Sequence, residues 1–153
     1  PVVSLITALI NAGTSFAVMF VLKVLLGNPV HFTIIYFPAV VLPLILITLG
    51  LSYLLASIGL FLRDISQIVS HLTTILLFTS PIFFSMDRIP EMFRKFAFLN
   101  PLGLIVEESR KAVIFGHSPD WKILGYSALF GIFLLWAGFY IFQRLRKGFA
   151  AVL

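Results

Sequence analysis

Ile34–Leu62 reads IIYFPAVVLPLILITLGLSYLLASIGLFL, about 29 residues without an Asp, Glu, Lys or Arg. A hydrocarbon core about 30 Å thick takes roughly 20 apolar helical residues to cross, so this run holds a whole span with some excess. Pro38 and Pro43 fall near its start, which predicts a lead-in segment followed by a kinked or tilted helix. Three more charge-free runs, Val2–Leu22, Ile65–Met86 and Ile123–Gln143, are each one span long. The expected fold class is all-α: a polytopic membrane helix bundle forming a single transmembrane domain over residues 1–153, with about four spanning helices at about 2–22, 34–62, 65–86 and 123–143.

Composition agrees. Hydrophobic residues make up 60% of the chain and charged residues 11%, against roughly a quarter charged in a soluble domain. A water-facing surface cannot be covered at that ratio, and lipid is the implied solvent. The net charge of +5 bears on orientation and anionic headgroups, and no Lys/Arg run long enough for a nucleic-acid patch is present. The absence of Cys excludes disulfides, thiolate metal sites and thiol catalysis. The chain starts at Pro1 without the basic start or cleavage site of a signal peptide, and reads as the C-terminal part of a longer protein.

Along the first span, Ser4, Thr7, Asn11 and Thr14 recur at helical steps and share one face, suited to joining helices or to lining a pathway. Lys23 and Gly27-Asn28-Pro29 are expected to end that helix. In the second span, Ser52, Ala56 and Gly59 form a small-residue edge that would admit a close helix neighbour. Only Arg63-Asp64 separates it from the third span, which implies a very tight turn on one membrane face. The third span carries a polar stripe of Gln67, Ser70 or His71, Thr74 and Ser80-Pro81, opposite Ile68, Leu72, Ile75 and Leu76. That asymmetry should turn the polar side away from lipid, toward partner helices or toward a conduit for a polar substrate.

Asp87–Lys122 holds six basic and five acidic residues. Short apolar spacings interrupted by Asn100-Pro101 and ended by Gly116 predict two short amphipathic helices in the interface, with Glu107, Glu108, Arg110 and Lys111 on the second. The last span is framed by Trp121 and by Trp136, Phe139 and Tyr140, followed by Arg144, Arg146 and Lys147, a pattern that places this end in the cytoplasm. The six basic residues of the long segment point the other way by simple count, but that segment is positioned by its own interfacial helices. No HExxH, Gly-x-Ser-x-Gly, Walker-type loop or intramembrane carboxylate pair occurs, so the chain is not expected to be an enzyme.

The order of features resembles one family. Phe61-Leu62-Arg63-Asp64-Ile65 closes a long span, Ser80-Pro81-Ile82-Phe83-Phe84 closes the polar-striped one, and Ile89-Pro90, Asn100-Pro101-Leu102 and a Glu/Arg-bearing helix before Gly116 follow. This is similar to the ATP-binding-cassette permeases that export O-antigen, capsular polysaccharide and teichoic acid. The resemblance implies a permease of about six spans in the cytoplasmic membrane, of which this chain is the last four. It further implies a homodimer, two copies of a nucleotide-binding ATPase subunit, and residues 87–122 on the external side as re-entrant gating helices. Cofactors would be absent from this chain, with ATP and Mg on the ATPase partner; the other partners would be a lipid-linked glycan and membrane lipids.

On that reading, Tyr53, Gln67, Thr74, Phe78, Phe83 and Phe84 would border the substrate route, because aromatic rings offer sugars flat apolar faces without charge. Plain core packing is the alternative for the rings. Asn100, Pro101, Glu107 and Arg110 would form an external gate, and Arg63 and Asp64 a cytoplasmic turn near the ATPase. A drug or lipid exporter of the same superfamily, or a non-transporting membrane scaffold, fits the same helix pattern.

Overall fold

The computed structural model describes residues 1–27, 31–59, 65–80 and 100–149, with the side chains of 66, 79 and 146–149 outside that description. In chain order it contains α1 (Val2–Leu25), a 3-10 segment (Phe32–Tyr36), α2 (Phe37–Ile58), α3 (Ile65–Thr79), α4 (Pro101–Arg110), a π-helical turn (Lys111–Phe115) and α5 (Trp121–Phe149). No strand occurs among the described residues.

Among the described residues, three segments are long and apolar enough to cross a membrane: Val2–Leu25, Phe32–Ile58 and Trp121–Leu145. At 24 residues, α1 reaches about 36 Å. The helix continues through Lys23 instead of ending there, because a lysine is a good helix former and its cation suits the negative C-terminal end. The turn comes at Gly27, whose φ of 67° is costly for any residue with a Cβ.

The lead-in to α2 follows from Pro38. Proline has no N–H to offer the Ile34 carbonyl, and the N–H of Phe37 takes that carbonyl instead, one residue early. The turn upstream therefore tightens into the 3-10 form. Pro38 itself sits in the first turn of α2, where a missing donor is harmless, while Pro43 is inside the helix and buried.

The third expected span is described only as the 15 residues of α3, about 22 Å; residues 81–86 lie outside the described part. Its polar side, Gln67, Ser70, His71 and Thr74, is covered by no described helix, and among its described side chains only Ile65 and Val69 are partly buried. The polar face of α1 is likewise exposed, with Thr7 and Thr14 donating to carbonyls of their own helix, those of Val3 and Asn11.

The core lies between α2 and α5, with Val40, Ile47, Ile105 and Leu124 buried and Leu44, Leu102 and Leu134 packed against them. Glycines let the two backbones meet. A Cβ on Gly50 would lie 2.6 Å from the backbone of Leu134 and Leu135, and one on Gly138 would lie 2.5 Å from the Gly50 carbonyl oxygen. The closest backbone approach at a glycine falls at Gly50, Gly131 and Gly138, while the Ser52, Ala56 and Gly59 edge is partly buried. Gly138 faces Gly50, and Gly131 admits Leu46 and Ile47, so small residues on both helices let the backbones approach. Toward its C-terminus, α5 carries Trp136 stacked on Tyr140 at 5.8 Å, with the Arg144 guanidinium 5.1 Å above the Tyr140 ring, an interfacial aromatic and basic cluster.

Candidate functional site

The densest polar arrangement is built around α4. Asn100, extended at φ −89°, caps the helix: its Oδ1 accepts from the Leu102 N–H at 3.1 Å. Pro101 follows at the first helical position, where its fixed φ favours the start. The Asn100 Nδ2 is buried without a hydrogen-bond partner, as is the Ser80 hydroxyl.

Near its C-terminal end, Arg110 donates to Glu107 at 3.1 Å, with both side chains largely buried. Glu108, one residue on from Glu107, is 1% exposed. One carboxylate oxygen accepts from the Lys111 ammonium at 2.7 Å, and the other accepts from the Asp120 N–H at 2.7 Å. Asp120 in turn caps α5, its own carboxylate accepting from the Lys122 N–H at 2.9 Å. Glu108 therefore ties α4 to the first turn of α5. A buried carboxylate satisfied on both oxygens by a cation and an amide is a rigid joint.

Beyond Arg110 the helix widens into the π turn and stops at Gly116, whose φ is 71°. The His117 N–H closes this end on the Lys111 carbonyl. The Ala112 and Val113 carbonyls accept instead from other parts of the chain: the Thr33 hydroxyl at 2.6 Å and the Lys23 ammonium at 2.7 Å. A Cβ on Gly116 would lie 2.5 Å from the His31 ring, so the turn is seated directly on that imidazole. Tyr36 meets Trp121 edge-on at 5.4 Å, and Phe16 stacks on Phe37 at 4.2 Å. An apolar cleft of about 160 Å³ is lined by Phe16, Met19, Phe37, Val113 and Ile114, with Ser109 and Arg110 at its side.

The four residues expected at the external gate, Asn100, Pro101, Glu107 and Arg110, are thus gathered on one short helix. The residues expected along the pathway are not gathered. Tyr53 lies edge-on to Phe139 and Phe142 at 5.6 and 5.4 Å, inside the α2–α5 packing. Gln67, Thr74 and Phe78 are exposed on α3, with Thr74 donating to the Ser70 carbonyl. Phe83, Phe84, Arg63 and Asp64 lie outside the described residues.

Sequence reasoning passed over His31, Thr33 and Asp120, took Lys23 only as part of a helix end, and left Glu108 as one of four interfacial charges. The Glu108–Lys111 spacing of three was a legible signal for an ion pair, and Asp120 before Trp121 for a helix cap. The bonds of Lys23 and Thr33 left no trace, because their acceptors are backbone carbonyls. Among the described residues, no group of three or more His, Cys, Asp or Glu could hold a metal ion. What the arrangement can do is mechanical: it places a charged, jointed segment between the ends of three long helices.

Residues 3–114 match the family described as ABC-2 type transporter. The chain is 33% identical over 153 residues to the O-antigen export system permease protein RfbA of Myxococcus xanthus, covering 98% of this chain and 58% of that protein. It is 28% identical over 116 residues to an O-antigen export system permease protein RfbA of Klebsiella pneumoniae, covering 76% of this chain and 44% of the relative. It is also 27% identical over 104 residues to the polysialic acid transport protein KpsM of Escherichia coli, covering 68% and 40%. The chain therefore spans about half the length of these relatives. No solved structure matches it with significance.

Proposed function

Because the chain belongs to the ABC-2 type transporter family, we propose that it is the C-terminal part of the permease subunit of an exporter that moves lipid-linked polysaccharide across the cytoplasmic membrane. The observation that carries this reading is the alignment over 98% of the chain with a protein named as an O-antigen export permease, supported by the second and third relatives, one named for O-antigen export and one for polysialic acid transport. Transport, not catalysis, is the role of these residues. The complete protein would act as a homodimer with an ATPase subunit dimer, and nucleotide and Mg would be bound by that partner. Bilayer physics supports the assignment: three long apolar helices give a lipid-linked substrate a hydrocarbon boundary for its tail. On this reading the charged segment around α4 would lie on the external side, where the sugars leave.

Deletion of the full-length gene tests the proposal. Loss of surface glycan, with the lipid-linked precursor retained on the cytoplasmic side and export restored by the intact gene, is the expected result. Unchanged surface glycan together with altered drug or lipid efflux would reject the glycan and favour another exported class.

A further inference from the structure

The segment 100–120 is fastened at two sides by different chemistry. Toward α5 it is held by Glu108 and Asp120. Toward α1 and the 3-10 segment it is held by two side chains ten positions apart that converge on consecutive carbonyls: Lys23 on Val113, and Thr33 on Ala112. These carbonyls are available because they fall in the last turn before Gly116, where the helix offers them no further N–H, and the lysine cation stands at this negative end. Among the described residues, no carboxylate pairs with Lys23. Its bond to Val113 is short and partly buried, where water competes weakly.

Among the described residues, α1 meets the rest of the chain through the Phe16–Phe37 stack, the Phe16 and Met19 wall of the apolar cleft, and this clasp. A shift of α1 against the α2–α5 pair therefore pulls on Val113 through the lysine. We propose that Lys23 and Thr33 are positioning residues through which α1 and the 3-10 segment after it set the placement of the segment 100–120, so that displacement of α1 releases or reseats that segment during transport. The assignment of a transport role to this coupling rests on the proposed function above; the clasp itself does not.

The test uses the full-length protein with its ATPase partner in native membranes, with any Cys upstream of these residues replaced. Ala112 is fully buried, so Ala112→Cys is a thiol that a membrane-impermeant maleimide reaches only when the segment lifts. Labelling rates are measured from both membrane faces. Lys23→Met with Thr33→Val should raise the rate by about tenfold or more, the factor expected on losing a charge-assisted hydrogen bond that holds the seated position. Lys23→Arg should stay near the parent rate, and Thr33→Val alone should give an intermediate rise if the double variant accumulates poorly. Export should fall in the double variant at equal abundance. An unchanged labelling rate in Thr33→Val and in the double variant overturns the clasp. A raised rate seen only from the cytoplasmic face, or without any export in the parent, leaves the clasp standing and overturns the external or exporter reading.

Discussion

Replacing Glu108 by Ala should open the start of α5. The carboxylate is 1% exposed, and its two bonds are both 2.7 Å long. The bond from the Asp120 N–H is the larger loss: a buried donor deprived of a charged acceptor forfeits about 1.5–3 kcal/mol. The Lys111 bond counts for less, because the lysine side chain is 38% exposed and rehydrates when released, which limits this part to about 1 kcal/mol. Together these give about 2–4 kcal/mol, or roughly a 30- to 700-fold rise in the opening equilibrium at Asp120. Glu108→Gln keeps an acceptor for the amide but turns an NH₂ toward the ammonium, so it should lose only about 1 kcal/mol, within fivefold to tenfold. Hydrogen exchange of the amides around Asp120, measured on the full-length protein in nanodiscs, reads this opening directly. Exchange in Glu108→Ala within twofold of the parent would show that the joint bears no load, and the reasoning from burial and bond count would fail.

Gly138→Ala places a methyl 2.5 Å from the Gly50 carbonyl oxygen, so the α2–α5 pair must separate; a loss of about 1–3 kcal/mol is expected from overpacking, read as a lowered unfolding midpoint in detergent, with Gly125→Ala, whose Cβ meets nothing within 4 Å, as the control. The Glu107–Arg110 pair is 16% and 17% exposed, intermediate between a surface pair and a buried one, so Arg110→Ala should reduce export or admit small solutes at normal abundance, and Glu107→Arg combined with Arg110→Glu should recover part of the loss; normal export by both single variants would make them ordinary surface charges.

The sequence by itself determined the membrane-spanning character of the chain and the place of its charged segment. Crossing hydrocarbon depends on the local sum of side-chain transfer energies, and that sum can be read off Val2–Leu22 or Ile34–Leu62 without knowing any neighbour. Asn100-Pro101 announced a helix start by the same local logic, since a cap and a fixed φ act within one turn. The packing faces were less legible. Ser52, Ala56 and Gly59 are as small as the interface requires, but which small residues meet depends on how α2 and α5 cross, and Gly50 was selected by the backbone of Leu134 and Leu135 opposite it. The fastening of α4 was decided by tertiary structure alone. Lys23 lies 90 positions from Val113, and its acceptor is a main-chain carbonyl that every residue possesses. The helix ends where Gly116 seats on His31, and that ending leaves the Val113 carbonyl without a partner further along the helix, free to receive the lysine.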